Sequence, residues 1–312
     1  MNHYKEFSIK SNVRNKAMVE TVAQMIFAIC ALLAVVIVAS ITVYMIISGM
    51  PAIREVGWKE ILFGTVWKPT AKEPQFGILY VILTSIVGTL LAILLGVPLG
   101  LLTAVFLAEI APKPLTKLVK PAVELLAGIP SVVYGLLGIY ILNPIMFRLE
   151  LFLFRDDPAH QFTGGANLLS AVIVLAIMIL PTVINISETS ICAVPGSVKA
   201  ASLALGASHM QTIFKAILPA AKSGVVTAVL LGVGRAIGEA MAITLVSGST
   251  VNVPLPFHSV RFLTTAIVSE MGYAEGLHRQ VLFTIGMVLF LFVMVINISL
   301  TKVLKKGKAE ND

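Results

Sequence analysis

Arg235 and Glu239 interrupt an otherwise apolar stretch running from about Ala216 to Val246. Charges within an apolar helix are costly, so they pair with one another or line a wet cavity. Four residues apart, the two fall on one helix face. A guanidinium presents a planar fork of donors that fits the oxygens of a phosphate-like anion. Two readings follow: an arginine that meets a passing oxyanion, with Glu239 holding it while the path is empty, or a structural ion pair. Ser131 and Tyr134, beside Pro130, carry hydroxyls that suit an oxyanion or ordinary helix–helix hydrogen bonds.

Catalytic and nucleotide-binding patterns are missing. The phosphate-cradling loop Gly-x-x-x-x-Gly-Lys-Ser/Thr does not occur, nor do His-Glu-x-x-His, Cys-x-x-Cys or Gly-x-Ser-x-Gly. The two cysteines, Cys30 and Cys192, build neither a disulfide framework nor a thiolate metal site. His209 is expected at a surface or interface and not on a metal. The chain is therefore expected to be no enzyme and to bind no cofactor or metal itself.

The elements that must position these residues follow from composition. Of 312 residues, 57% are apolar and 12% charged, where soluble domains run at about 45–50% and 25%. Charge-free stretches run 21–53, 74–108, 125–147, 158–187 and 280–301, each long enough to cross a bilayer. With the stretch holding Arg235 they make six expected spans. The first is far too long for a cleavable signal peptide, so it is expected to stay as an anchor.

Six spans put both tails on one side, and lysine and arginine should crowd that side. With the tails cytoplasmic, 14 basic residues fall inside and 8 outside, with Arg235 in the membrane. The net charge of +7 is thus mostly topology. A nucleic-acid partner would need a clustered basic face with aromatic residues, and only 7% of the chain is aromatic. Eight outer acids, Glu150 and Glu270 among them, oppose five inner ones. Glu124 and Glu188, near the inner ends of their spans, read as structural or gating groups. Gly96-x-x-x-Gly100, Gly135-x-x-Gly138 and Gly234-x-x-x-Gly238 suit close helix packing. Pro98, Pro130 and Pro181 are expected to kink or break their helices. The outer segment 248–279 either dips toward the bilayer or packs over the bundle.

Between the fourth and fifth spans, residues 195–219 form an inner segment too long for a bare connection. Ser197 is expected to cap a short helix through Leu205, Gly206 to end it, and Ser208 to begin a second.

This segment resembles the cytoplasmic loop of bacterial ABC importer permeases, which carries Glu-Ala-Ala, three residues, Gly, nine residues, then Ile-x-Leu-Pro. Ala200, Ala201 and Ser202 stand in for Glu-Ala-Ala, while Gly206, Leu218 and Pro219 match; the family's isoleucine is Ala216 here. Three further stretches are similar to the PstC-type permeases of the phosphate-specific transport system: Trp67-Lys-Pro with Gln75-Phe-Gly, Leu126-Ala-Gly-Ile-Pro-Ser-Val-Val-Tyr-Gly135, and Gly234-Arg-Ala-Ile-Gly-Glu-Ala-Met241. The resemblance covers about residues 20 to 304.

The resemblance implies an all-α integral membrane protein, a six-helix type I ABC importer transmembrane domain over 21–304, with a tail at 1–20 and another at 305–312. It implies that coupling helices dock on a separate ATPase dimer (PstB-like) through Lys199, Ala200, Ala201, Ser202, Leu205, Gly206, Ala207 and His209. ATP and Mg would then be held by those partner subunits. A second permease (PstA-like), an extracytoplasmic phosphate-binding protein (PstS-like) and membrane lipid complete the expected partners. The residues leave alternatives open: another oxyanion such as sulfate or molybdate, or a stand-alone channel or ion-driven carrier.

Overall fold

The computed structural model describes residues 9–309, so the outer parts of the two expected tails, 1–8 and 310–312, lie outside the described residues. A long helix α1 (Ile9–Ala52) passes through a π-helical turn into α2 (Trp58–Phe63). Then comes a short antiparallel ribbon, β1 (Trp67–Lys68) and β2 (Gln75–Phe76), with Trp67 opposite Phe76. Helix α3 (Leu79–Val105) runs on through a π turn to Ile110. It is followed by α4 (Lys113–Gly128), α5 (Ser131–Leu137) and α6 (Asn143–Leu153). Helix α7 (Leu168–Cys192) leads to three short helices, α8 (Gly196–Ala204), α9 (His209–Thr212) and α10 (Leu218–Ala220). The chain closes with α11 (Lys222–Gly238), α12 (Met241–Val246), α13 (Leu263–Glu270) and α14 (Gly276–Ala309).

Among the described residues, five helices are long and apolar enough to span a membrane: Val19–Phe63, Leu79–Ile110, Ser131–Leu153, Leu168–Cys192 and Gly276–Ser299. The sixth expected span is not one helix. His209–Ala220 and Lys222–Gly238 meet at a 71° bend, and α11 stops at Gly238 instead of continuing to Val246. Three glycines in its last seven residues weaken the helix there, and the two groups of Glu239 are engaged beyond the break. Its carboxylate accepts the N–H of Ala242 at 3.0 Å, at the start of α12, and its carbonyl accepts the Thr264 hydroxyl at 2.7 Å.

Small residues set how closely the helices pack. On α3, a Cβ at Gly96 would lie 2.6 Å from Ile179 Cδ1, and one at Gly100 would lie 2.8 Å from Val183 Cγ1. These glycines let α3 and α7 approach as closely as dispersion requires in lipid, where no hydrophobic drive joins helices. Gly135 and Gly138 do the same for α12, meeting Leu245 and Val246. Gly234 and Gly238 have nothing within 4 Å at their Cβ positions, so that pair packs against no neighbour in this chain. Helix α1 lies against α14, where the Thr284 hydroxyl donates to the Gly49 carbonyl at 3.0 Å. From Met25 to Ala39 α1 is apolar and exposed, with Phe27 70% exposed, a surface suited to lipid tails.

Of the three prolines expected to disturb helices, only Pro130 ends one. Ile129 before it takes an extended conformation (φ −69°, ψ 129°), as the residue preceding proline prefers. Helices α3 and α7 run unbroken through Pro98 and Pro181, locked together at the glycine face. The segment 248–262 packs onto the bundle: Phe262 is buried beside Gly88, and the Ser85 hydroxyl accepts the N–H of Leu263 at 2.8 Å.

Candidate functional site

The guanidinium of Arg235 reaches across from α11 to α7, where Nη1 donates to Thr182 Oγ1 at 3.3 Å. Among the described residues no carboxylate stands within ion-pair distance of it. The expected pair with Glu239 does not form, because the helix that would align them ends between them. Glu239 is 9% exposed and caps α12. Arg235 is partly exposed and flanked by the uncovered Gly234 and Gly238. The result is a cation in a largely apolar span, held by one neutral hydroxyl on a face this chain leaves open. Such a group can accept an anion without first breaking an ion pair.

Two of the sequence stretches singled out above converge here. Tyr134 is buried, and its hydroxyl donates at 2.8 Å to the Leu126 carbonyl, which also accepts the Ile129 N–H at the end of α4. This is the helix–helix alternative for that hydroxyl: it braces the break. Ser131 opens α5 at the same break and is half-buried. Helix α5 lies on α12 through Gly135, so the broken α4–α5 pair and the broken α11–α12 pair support one another.

The segment after α7 has the expected punctuation. Gly206 sits at φ +86°, a left-handed position that favours glycine. Ser208 caps α9 in a reciprocal capping box with Gln211. Ser197 is not the cap of α8: Pro195 precedes the helix, and no side chain caps it. Ala200, Ala201 and Gly206 are exposed, and Leu205 at the tip is 89% exposed. Ser202 instead joins the two short helices, its hydroxyl 3.0 Å from Thr212 Oγ1, and Ala207 is half-buried behind the tip. Lys199 and His209 turn back to the bundle. The Lys199 ammonium pairs with Glu109 beyond α3, and the His209 ring lies 3.3 Å from the Glu109 carbonyl. Beneath, Ile213, Ile217 and Ala221 are buried with Ala104, Val105 and Ile191. Nearby, Lys120 binds Glu188 at 2.9 Å. The hydrogen bond that Lys120 donates to Glu188 raises the Lys120 pKa above its ordinary value, against the opposing effect of burial.

At the opposite end lie two buried carboxylates that sequence reasoning counted only as outer-segment acids. Glu270 receives the Trp67 indole N–H at 3.1 Å, contacts His278 Nε2 at 2.7 Å and pairs with Arg261. With Lys68, Ser249 and Tyr273 this cluster lines a cavity of about 480 Å³. Glu150, fully buried, takes the N–H and hydroxyl of Thr163 at 2.9 and 3.0 Å and contacts His160 at 2.9 Å. The Trp67 stretch was the available signal for the first cluster, since a tryptophan opposite a phenylalanine anchors the ribbon that covers Glu270. No group of three or more metal-ligating side chains is gathered among the described residues.

The model of a family described as "Binding-protein-dependent transport system inner membrane component" matches residues 96–307. The "Probable ABC transporter permease protein YqgH" of Bacillus subtilis is 37% identical over 295 residues, covering 92% of each chain. The "Phosphate transport system permease protein PstC" of Haemophilus influenzae is 31% identical over 292 residues, covering 90% of this chain and 92% of its own. A chain of the MetNI methionine ABC transporter, solved in inward-facing conformations, overlays 74% of this chain and 94% of its own at 19% identity and a TM-score of 0.49.

Proposed function

We propose a function from this premise: the chain belongs to the family of binding-protein-dependent transport system inner membrane components. It is the permease subunit of an ATP-driven phosphate importer and supplies half of the translocation pathway. The observation that carries the substrate is the relationship to phosphate permeases over most of the chain, 30–34% identical in several bacteria. The unpaired Arg235 agrees with it, since an anion path needs a donor that is free but not a deep trap.

The second half of the pathway comes from another permease subunit, which covers the open face around Gly234 and Gly238. The exposed tip at Leu205 docks on an ATPase dimer, which holds ATP and Mg. A binding protein on the far side delivers phosphate over the ribbon and the 248–262 segment. Both tails are cytoplasmic, as the distribution of basic residues favours. ATP and phosphate each shift the inward–outward equilibrium only by their difference in affinity for its two states. In this reading Arg235 and Glu239 serve the pathway differently: the arginine meets the anion, and the glutamate fixes the broken helix that presents it. Ser131 and Tyr134 shape the same break.

The test is uptake of radiolabelled phosphate by the assembly purified from native membrane and placed in vesicles, with and without ATP inside. Uptake should require ATP and yield to unlabelled phosphate but not to sulfate or molybdate. Competition by one of those ions would reassign the substrate. Transport by this chain alone, without ATP, would refute the importer reading.

A further inference from the structure

Glu109 lies just beyond α3, in the π turn that carries this helix on to Ile110. Its carboxylate is 11% exposed and receives the Lys199 ammonium from the first short helix of the loop. Its backbone carbonyl lies 3.3 Å from the ring of His209, in the second short helix. One residue therefore ties both short helices to α3, and the contact between the Ser202 and Thr212 hydroxyls holds those helices to each other. Helix α3 is in turn packed closely on α7 at Gly96 and Gly100, where a Cβ would lie 2.6 Å from Ile179 Cδ1 and 2.8 Å from Val183 Cγ1. Position 200, beside Lys199, carries no charge, and the lysine is engaged inward.

Resting on the importer reading above, we propose that the Glu109–Lys199 ion pair is the tether through which movement of the docked loop enters the membrane helices. Glu109 is a positioning residue: it touches neither phosphate nor ATP, and acts by making α8, α9 and α3 move as one body. The apolar contacts of Ile213 and Ile217 keep the loop seated but lack direction, whereas an ion pair on a half-buried carboxylate fixes orientation. Without it the loop can follow the ATPase while α3 stays behind. ATP is then hydrolysed with little transport.

The experiment measures ATP hydrolysed per phosphate imported by the whole assembly in vesicles. With Glu109→Gln, and separately with Lys199→Gln, ATP hydrolysis should persist while the ratio rises about fivefold or more, the low end of ordinary coupling free energies. Reversing the pair, Glu109→Lys with Lys199→Glu, should return the ratio toward that of the unaltered protein. An unchanged ratio in either single variant overturns the tether. If a single variant fails to assemble, the reversed pair decides: a restored ratio supports the tether, and a defective ratio or failed assembly overturns it. An unaltered assembly that hydrolyses ATP but imports no phosphate contradicts the importer reading instead.

Discussion

Replacing Arg235 with alanine distinguishes an unpaired cation from a buried ion pair. Among the described residues the guanidinium makes one hydrogen bond, 3.3 Å to Thr182, and meets no carboxylate. That distance exceeds the usual N–H···O range, so its loss should cost about 1 kcal/mol or less. Were Arg235 the partner of a buried Glu239, its removal would strand a carboxylate at roughly 3–5 kcal/mol. The subunit carrying Arg235→Ala should therefore unfold, by circular dichroism in detergent, within about 1 kcal/mol of the unaltered chain. Its assembly should hydrolyse ATP yet take up no phosphate. Glu239→Gln keeps an oxygen for the Ala242 N–H and should leave stability nearly unchanged. A large loss of stability in Arg235→Ala, relieved by adding Glu239→Gln, would refute the unpaired description. Normal uptake by a correctly assembled Arg235→Ala would remove the residue from the pathway.

Gly96→Ala places a Cβ 2.6 Å from Ile179 Cδ1 and 3.0 Å from the Ala176 carbonyl, and should destabilise the subunit by about 1–3 kcal/mol in denaturant titrations. Gly234→Ala meets nothing in this chain and should stabilise the isolated subunit by about 0.5–1 kcal/mol, while reduced pull-down of the second permease would mark the face that subunit covers. Tyr273 is held neutral first by burial and then by Glu270, with Arg261 opposing, so its pKa lies above the ordinary value. A raised acid pKa contributes stability that is full below the unfolded value of about 10 and is lost as pH rises through the folded one; the phenolate absorbance missing from Tyr273→Phe should therefore appear above the ordinary tyrosine value in an alkaline titration.

The stretches 74–108 and 158–187 were legible because an uncharged run of that length has little alternative to a membrane helix, and α3 and α7 fall within or close to them. Gly206 and Ser208 were legible for a local reason: a left-handed turn and a capping oxygen depend on the residue itself and its nearest neighbours. Arg235 and Glu239 misled because their spacing was converted into a shared face by assuming the helix continued. Beyond the break the Glu239 carbonyl is held by a hydroxyl from Thr264, 25 residues on, which spacing cannot reveal. Ser197 looked like a cap, but the turn begins at Pro195, whose own geometry opens α8. The partners of Glu270 were equally hidden, since Trp67 lies 203 residues away. The contacts of Lys199 and His209 with Glu109 were hidden because nothing in the loop itself shows that Glu109 faces them.

Photo-crosslinking from position 205 tests the central claim most directly. Leu205 is 89% exposed on the loop, and a light-activated residue placed there in the complete assembly should bond to an ATP-hydrolysing subunit in native membranes. Adducts confined to lipid, or to a protein applied from outside sealed, right-side-out cells, would contradict it.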